Sequence, residues 1–552
     1  MKKIMLLGVT IVFFVFLVML FWIKKDNFDK EVYMNKYIKN FIFPDNWIDE
    51  ETLINKVSIK NTEKFDVVVR VSFDNNFGDA IDYKIYNNNW IKIDDDREYY
   101  YYKYIISPNE EISLNQYLFL ENEDNKDKVG DIYSIDTNIE IVDFKSYSEV
   151  FNVGKDFEIK MMKGNDLDSS KIEEEMLFNE KIERRLNRLS LDEKIGQMMI
   201  ISLLKNNDRL KNDKEEYDVL DLLSKVKPGG VILETKDFKN RNVDEIIDLT
   251  KTLKSSSDIP MIISVDQEGG RVQRLMSFKD KDINGFTYIP TMEDIGFTND
   301  VSIAKDVGIL IGMELNALGI NMDFAPVIDT LYVDSNVIGD RSFGSDVNLV
   351  KEMGVALGDG LKNRGIIPVY KHFPNHGSTS TDSHDGLPLV RLNRDDLLKN
   401  DLIPFKEVIN KGASLIMVGH LYYPEISKEP ASLSKEIIND LLKEELNYGG
   451  LVITDSLRMG AIVNKFGEKE VYEMAINAGV DLLLMPYNPD YAVDLIKMSI
   501  KEGKVTEEQI NNSVRKILKL KYSELNNDEA DKSLLDTSLY KELSDKIGNI
   551  ND

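Results

Sequence analysis

The sequence predicts an α/β protein: a (β/α)8 barrel of the TIM type, preceded by a membrane-spanning helix and a small β-rich domain of sandwich type. Three observations carry that expectation. Eight short apolar runs recur after residue 190, separated by longer stretches of helical period. Ionisable residues stand at the ends of these runs, each closing its own apolar segment. Ahead of them lie a zone rich in Val, Ile and Tyr with period-two alternation and, first of all, a long uncharged apolar run.

Composition narrows the partners. A chain of 552 residues with 42% hydrophobic content holds more than one domain and a sizeable core. The formal net charge is −27, spread along the chain, which argues against a nucleic-acid partner because phosphate binding needs a basic face. Such acidity is sufficiently explained by solubility. With no cysteine, disulfides, thiolate metal sites, cysteine nucleophiles and a lipid-modified N-terminal cysteine are all excluded.

In chain order, residues 1–25 are the expected membrane anchor. Met1-Lys2-Lys3 precede the run Ile4 to Ile23, which at helical rise crosses a bilayer core. The run ends in Phe21-Trp22-Ile23-Lys24-Lys25 with no small-residue cleavage site, so it is expected to be an uncleaved signal anchor. Trp22 suits the interface belt. The expectation is a single-pass cell-membrane protein with its bulk outside the cell, secretion after cleavage being the alternative.

Residues 26–170 form the β-rich accessory domain. Phe65–Phe73, Ala80–Tyr86 and Tyr99–Ile106 are separated by Asn, Asp and Gly clusters, as in a small antiparallel sandwich. The four tyrosines Tyr99 to Tyr102 suggest a strand with aromatics on both faces rather than a carbohydrate-stacking surface. Residues 171–189 form a linking helix, with Leu177, Ile182, Leu186 and Leu189 at helical spacing.

Residues 190–525 are the barrel. Its apolar runs are Gln197–Ser202, Gly230–Leu233, Met261–Val265, Asn321–Val327, Ile366–Tyr370, Ser414–Val418, Leu451–Thr454 and Asp481–Met485. A doubly wound open sheet gives a similar alternation; the lack of a Gly-rich phosphate fingerprint after the first run weakens only its dinucleotide-binding version. Residues 526–552 form an acidic tail with helical character from Leu534 to Ile547.

The strand ends favour the barrel, whose chemistry gathers at the C-terminal ends of its strands. Asp266, Asp323 with Asp329, Lys371 with His372, His420 and Asp455 each follow or bracket an apolar run. A set of buried charges is costly unless paired, so packing alone does not account for them. The densest stretch runs from Lys371-His372-Phe373-Pro374-Asn375-His376-Gly377 through Thr381-Asp382-Ser383-His384-Asp385-Gly386-Leu387-Pro388. It holds three of the protein's four histidines within a loop built of Gly, Pro, Ser, Thr and Asn. A surface loop with incidental histidines is the plainer alternative for one of them, not for three.

These segments resemble glycoside hydrolase family 3, in its β-N-acetylglucosaminidase branch. The resemblance rests on Val265–Arg274, Asn321–Asp329, Ile338–Gly344, the histidine loop and Ile453–Met459, and spans roughly residues 190 to 520. It implies a retaining exo-hydrolase that removes terminal β-linked N-acetylglucosamine (GlcNAc) from a glycan or muropeptide, without cofactor or metal. By the same resemblance Asp455 is the nucleophile, and His384 the general acid/base with Asp382 as its partner. Asp266, Arg274, Arg341, Lys371 and His372 grip the sugar, and His376 orders the loop.

The roles are physically coherent. A retaining enzyme needs a nucleophile and a second group that first protonates the leaving oxygen and then deprotonates water. On extended backbone Asp382 and His384 share a side, so the carboxylate can stabilise the imidazolium. Arg274 and Arg341 offer rigid multi-donor forks and Lys371 a mobile ammonium. Two departures from the family pattern stand out: Asn375 where glycine is usual, expected to keep a left-handed turn, and Ser456 after the nucleophile. A zinc site on His372 and His376 is disfavoured by Pro374 between them. A non-catalytic wall-binding barrel, a broader β-glycosidase and a phosphorylase using an anionic acceptor are the other readings. Should His384 not be the acid/base, Asp329 and Glu268 come next.

Overall fold

The computed structural model describes residues 32–42, 53–75, 81–85, 89–92, 99–120, 132–143, 170–204, 218–278, 286–379, 387–459, 462 and 465–550. They divide into two compact units, one up to Arg184 and one from Arg185 onward. The expected anchor, residues 1–25, lies outside the described residues. Among the described residues no helix is long and apolar enough to cross a membrane.

In the first unit, two antiparallel sheets enclose one core. The larger sheet orders its strands Val32–Ile42, Ile132–Asp143, Val67–Asn75, Tyr99–Tyr102, Trp90–Lys92. The smaller orders Leu53–Lys60, Glu111–Leu120, Ile81–Lys84. Val57, Ile59, Leu114 and Leu118 from one sheet and Val67, Val69, Val71 and Ile141 from the other belong to the same buried cluster. Alternation explains the tyrosine run. Tyr100 and Tyr102 join that core, while Tyr99 and Tyr101 flank the Arg70 guanidinium, 4.1 and 5.9 Å from their ring centroids. Arg70 is held in turn by Glu140 at 2.6 Å. The helix Ser170–Arg188 follows, and the boundary between units falls within it.

The second unit is the barrel. Its strands are β1 (Met199–Ser202), β2 (Gly230–Leu233), β3 (Ile262–Val265), β4 (Met322–Asp323), β5 (Ile367–Phe373), β6 (Leu415–Val418), β7 (Leu451–Thr454) and β8 (Leu483–Leu484). Seven of the eight apolar runs contain their strand whole; β5 continues past its run, Ile366–Tyr370, to take in Lys371, His372 and Phe373. All pairs are parallel and neighbours follow chain order, with β8 beside β1. A parallel bridge between Ile453 and Leu482 joins β7 to the run into β8, so the sheet closes on itself. Closure distinguishes the barrel from an open doubly wound sheet.

Every strand residue of β1 to β7 is buried. Burial on both faces is why these strands are continuous apolar runs rather than alternating ones. Gly230 lets β2 approach β3, since a Cβ there would sit 2.6 Å from that of Ile262. Asn321 sets the β3–β4 register: its Oδ1 accepts from the Ile263 amide at 2.8 Å and its Nδ2 donates to the Met261 carbonyl at 3.0 Å. The segment after residue 526 packs on this unit. Its helix Ser538–Gly548 buries Tyr540, Leu543 and Ile547, and the Tyr540 hydroxyl donates to buried Glu314 on the helix Val301–Ala317.

Candidate active site

The C-terminal ends of β3, β4, β5 and β7 bring the singled-out residues together. After β3 the chain leaves Asp266 at the mouth and turns through a hairpin, Gln267–Gly269 against Val272–Gln273. That hairpin carries Glu268, 3% exposed, into the centre of the ionic network. Its carboxylate takes Arg341 on both oxygens, at 2.7 and 2.8 Å, and Lys371 at 2.6 Å. Burial alone would raise the Glu268 carboxyl; Arg341 and Lys371 outweigh it and hold the group far below its ordinary value.

Lys371 is not the mobile ammonium expected from sequence. It is 2% exposed and is fixed between Glu268 and Asp266, the latter at 2.9 Å. Burial disfavours the ammonium, but the two carboxylates push its pKa above the usual lysine value. Asp266 also takes Arg274 at 3.5 Å. Arg271 holds the Arg341 loop, pairing with Asp340 at 3.0 Å and donating to the carbonyls of Asn336, Val337 and Ile338. Behind them Asp323 is fully buried. Its Oδ1 accepts from the Gln267 amide at 2.9 Å, its Oδ2 has no partner among the described residues, and burial pushes the carboxyl well up.

β5 delivers the histidines. His372 donates from Nδ1 to Asp329 Oδ2 at 2.7 Å. The His376 amide donates to the other Asp329 oxygen at 2.6 Å. One carboxylate thus ties the end of β5 to the turn beyond it. Burial pushes Asp329 up, and His372 and His376 more than offset this, leaving it below its ordinary value. The His376 ring lies edge-on to His372, 5.8 Å between centroids, buried and with neither nitrogen hydrogen-bonded among the described residues. Its main chain, not its imidazole, makes the bond to Asp329.

Asn375 departs from expectation as well. Its φ is −177°, extended backbone rather than a left-handed turn. Its side chain is a buried junction instead, accepting from the Thr330 amide at 3.0 Å and donating to Asp401 at 2.8 Å. Gly377 permits the close approach of this turn to the β4 loop, because a Cβ would lie 2.1 Å from the Thr330 carbonyl. Asp382 and His384 lie outside the described residues.

Asp455 ends β7, half-buried at the mouth. Its amide donates to Val418 at 3.0 Å, and its Oδ1 accepts from the Ser456 amide at 2.7 Å. Burial pushes the carboxyl up; His372, His420, the Ser456 amide and Lys371 outweigh that and hold it below its ordinary value. His420 is fully buried beneath this turn. Its Nε2 donates to the Ser456 carbonyl at 3.0 Å, leaving Nδ1 to accept from Ser432 at 2.7 Å, so its bonds support the Asp455 turn.

The mouth therefore presents one ionised carboxylate on β7 facing a charge-balanced lattice from β3 to β5. A lattice of donors and acceptors at one rim suits a polyhydroxylated ligand, and a lone ionised carboxylate opposite suits attack on it. Among the described residues no group of His, Asp and Glu is arranged to hold a metal ion. A cavity of about 440 Å³ lies at the opposite end of the barrel, lined by Gln197, Lys227, Pro228 and Met261.

Comparison with known proteins agrees with this geometry. The family described as glycosyl hydrolase family 3 N terminal domain matches residues 190–520. The chain belongs to glycosyl hydrolase family 3. A beta-hexosaminidase of Nitrosomonas eutropha is 36% identical over 274 residues, 49% of this chain and 76% of that protein. Among solved structures, a family 3 beta-N-acetylglucosaminidase from Paenibacillus sp. FPU-7 aligns at 33% identity and a TM-score of 0.57, covering 65% of this chain and 68% of that one. NagZ from Neisseria gonorrhoeae, in complex with N-trifluoroacetyl-D-glucosamine, aligns at 28% identity and 0.52, covering 65% and 98%. These relatives place the family 3 barrel on the β-hexosaminidase branch.

Sequence reasoning marked Asp329 as a carboxylate bracketing an apolar run, and reached Glu268 only as a substitute for His384. The signal for Glu268 was its place two residues past Asp266 at a strand end. No such signal marks Asn375 as a junction.

Proposed function

We propose that the chain is a retaining, exo-acting β-N-acetylglucosaminidase that removes terminal β-linked GlcNAc from peptidoglycan fragments. The observation that carries the proposal is Asp455: a half-buried carboxylate held ionised at the end of β7, across the mouth from the lattice around Glu268. Asp455 attacks the anomeric carbon to form a glycosyl-enzyme. His384, tuned by Asp382, protonates the leaving oxygen and then deprotonates water. Asp266, Arg274, Arg341, Lys371 and His372 bind the sugar's hydroxyls and acetamido group, with Glu268 and Asp329 positioning them. Residues 1–25 anchor the enzyme in the cell membrane with the barrel outside.

The test is chemical. Asp455→Ala abolishes both steps for every substrate. His384→Ala loses about 10²–10⁴-fold on poor leaving groups, much less in the first step on dinitrophenyl GlcNAc, and azide rescues it as the β-azide. Product anomer followed over time reports retention. No dependence on leaving group and no azide rescue would assign the acid/base role elsewhere.

A further inference from the structure

We propose that His420 is the positioning residue of the nucleophile, acting through Ser456 to fix which oxygen of Asp455 is held and which attacks. The proposal rests on the β-N-acetylglucosaminidase reading and deepens it by one residue buried beneath the mouth.

The end of β6 is built into both of its neighbours. The Gly419 amide donates to the Phe373 carbonyl of β5 at 3.0 Å, and the Asp455 amide donates to the Val418 carbonyl of β6 at 3.0 Å. Gly419 also passes close to His372, where an added Cβ would lie 3.2 Å from that of the histidine. His420 is the next residue, fully buried under the Asp455 turn. Its ring is held at both nitrogens. The Ser456 carbonyl can only accept, so Nε2, at 3.0 Å from it, carries the proton. Nδ1 is then the acceptor, and the Ser432 hydroxyl donates to it at 2.7 Å. Ser432, equally buried, sits in the short helix Ala431–Leu433, whose Ala431 amide donates to the Leu421 carbonyl at 2.7 Å. One connection after β6 thus supplies both the ring and the group that fixes its tautomer.

Ser456 passes this hold to the nucleophile. Its carbonyl takes His420, and its amide donates to Asp455 Oδ1 at 2.7 Å. Only two soft dihedrals separate the amide of a residue from its carbonyl, so fixing one limits the swing of the other. Among the described residues the Ser456 amide is the only hydrogen-bond donor to the Asp455 carboxylate, and Oδ2 receives none. The tether leaves Oδ2 as the attacking atom, in one orientation. In the first step Oδ2 bonds to the anomeric carbon as the bond to the leaving oxygen breaks, the electron pair departing with that oxygen. In the second, the oxygen of water replaces Oδ2 and the carboxylate is regenerated.

The test uses the full-length protein, dinitrophenyl GlcNAc as substrate and free GlcNAc as competitive inhibitor. Dinitrophenolate leaves without a proton, so kcat/KM reports attack by Asp455 rather than the acid/base. His420→Leu removes both ring bonds and is expected to lower kcat/KM about 10²-fold, with inhibition by GlcNAc held within about twofold. His420→Gln, whose amide nitrogen takes the place of Nε2 against the Ser456 carbonyl, is expected to recover most of that loss. Ser432→Ala frees the ring while leaving its donor in place, and is expected to cost about fivefold. Wild-type kcat/KM in a folded His420→Leu overturns the proposal, as does GlcNAc inhibition that weakens in step with kcat/KM, the mark of a mouth merely loosened. Should His420→Leu not fold, Ser432→Ala decides, and wild-type kcat/KM there overturns the proposal. A wild type inactive on dinitrophenyl GlcNAc would instead overturn the glycosidase reading itself.

Discussion

At the residue scale, Glu268 is the keystone of the mouth. Buried Lys371 and half-buried Arg341 share its carboxylate, so removing the charge without the volume leaves both uncompensated. Glu268→Gln is expected to lower unfolding stability by about 3–5 kcal/mol and to abolish activity with Asp455 intact, read by urea denaturation beside an aryl GlcNAc assay. A variant as stable as wild type would mean that Arg341 and Lys371 find other partners. Acid should act through the same groups. The carboxyls of Glu268, Asp329 and Asp455 are held below their ordinary values in the fold. Each contributes stability that is present above the unfolded pKa, about 4 for such groups, and lost as pH falls through the lower folded one. Melting temperature measured downward from pH 5 should therefore drop steeply, and less so in Glu268→Gln.

At the element scale, the C-terminal helix carries the opposite sign. Glu314 Oε1 accepts from the Thr287 amide at 2.7 Å and the Tyr540 hydroxyl at 2.8 Å, while Oε2 has no partner among the described residues. Burial pushes its carboxyl from 4.5 to about 7. A group raised on folding stabilises fully below its unfolded pKa and loses that contribution as pH rises through the folded value. The fold should thus weaken by roughly 3 kcal/mol between pH 4.5 and 7.5 from this group alone. Glu314→Gln keeps the acceptor and removes the titration, so its stability should be flatter across that window and exceed wild type above pH 7. Parallel stability curves for the two proteins would contradict the assignment. Thr287 belongs to the segment whose Ile289 bonds Gln273 of the hairpin carrying Glu268, so this helix supports one wall of the mouth.

At the scale of the whole molecule, the acetamido-sugar reading and the anchor can each fail separately. Aryl β-GlcNAc should be hydrolysed far faster than aryl β-glucoside; equal rates would remove the branch preference and leave the barrel untouched. The full chain should fractionate with membranes and retain its N-terminus, on the strength of the uncharged run Ile4–Ile23. A soluble, N-terminally trimmed form as the main species would rule the anchor out.

The sequence by itself determined the number and order of the barrel strands, because burial on both faces writes each one as a local apolar run. It also marked Asp266, Lys371, His372 and Asp455, since an ionisable residue closing such a run is visible without neighbours. Only the tertiary structure decided what those residues bond to. Glu268 becomes a keystone because β3, β5 and the Arg341 loop meet there. His420, at a strand end like the others, has its ring bonded to Ser432 and Ser456 instead. Asn375, in extended backbone, spends its amide on Thr330 and Asp401. The segment after 526, acidic in composition, buries Tyr540, Leu543 and Ile547. Period and composition are local quantities, whereas charge pairing depends on which strand ends adjoin, and at this mouth that is set by the parallel pairing of β3 with β4 and of β4 with β5.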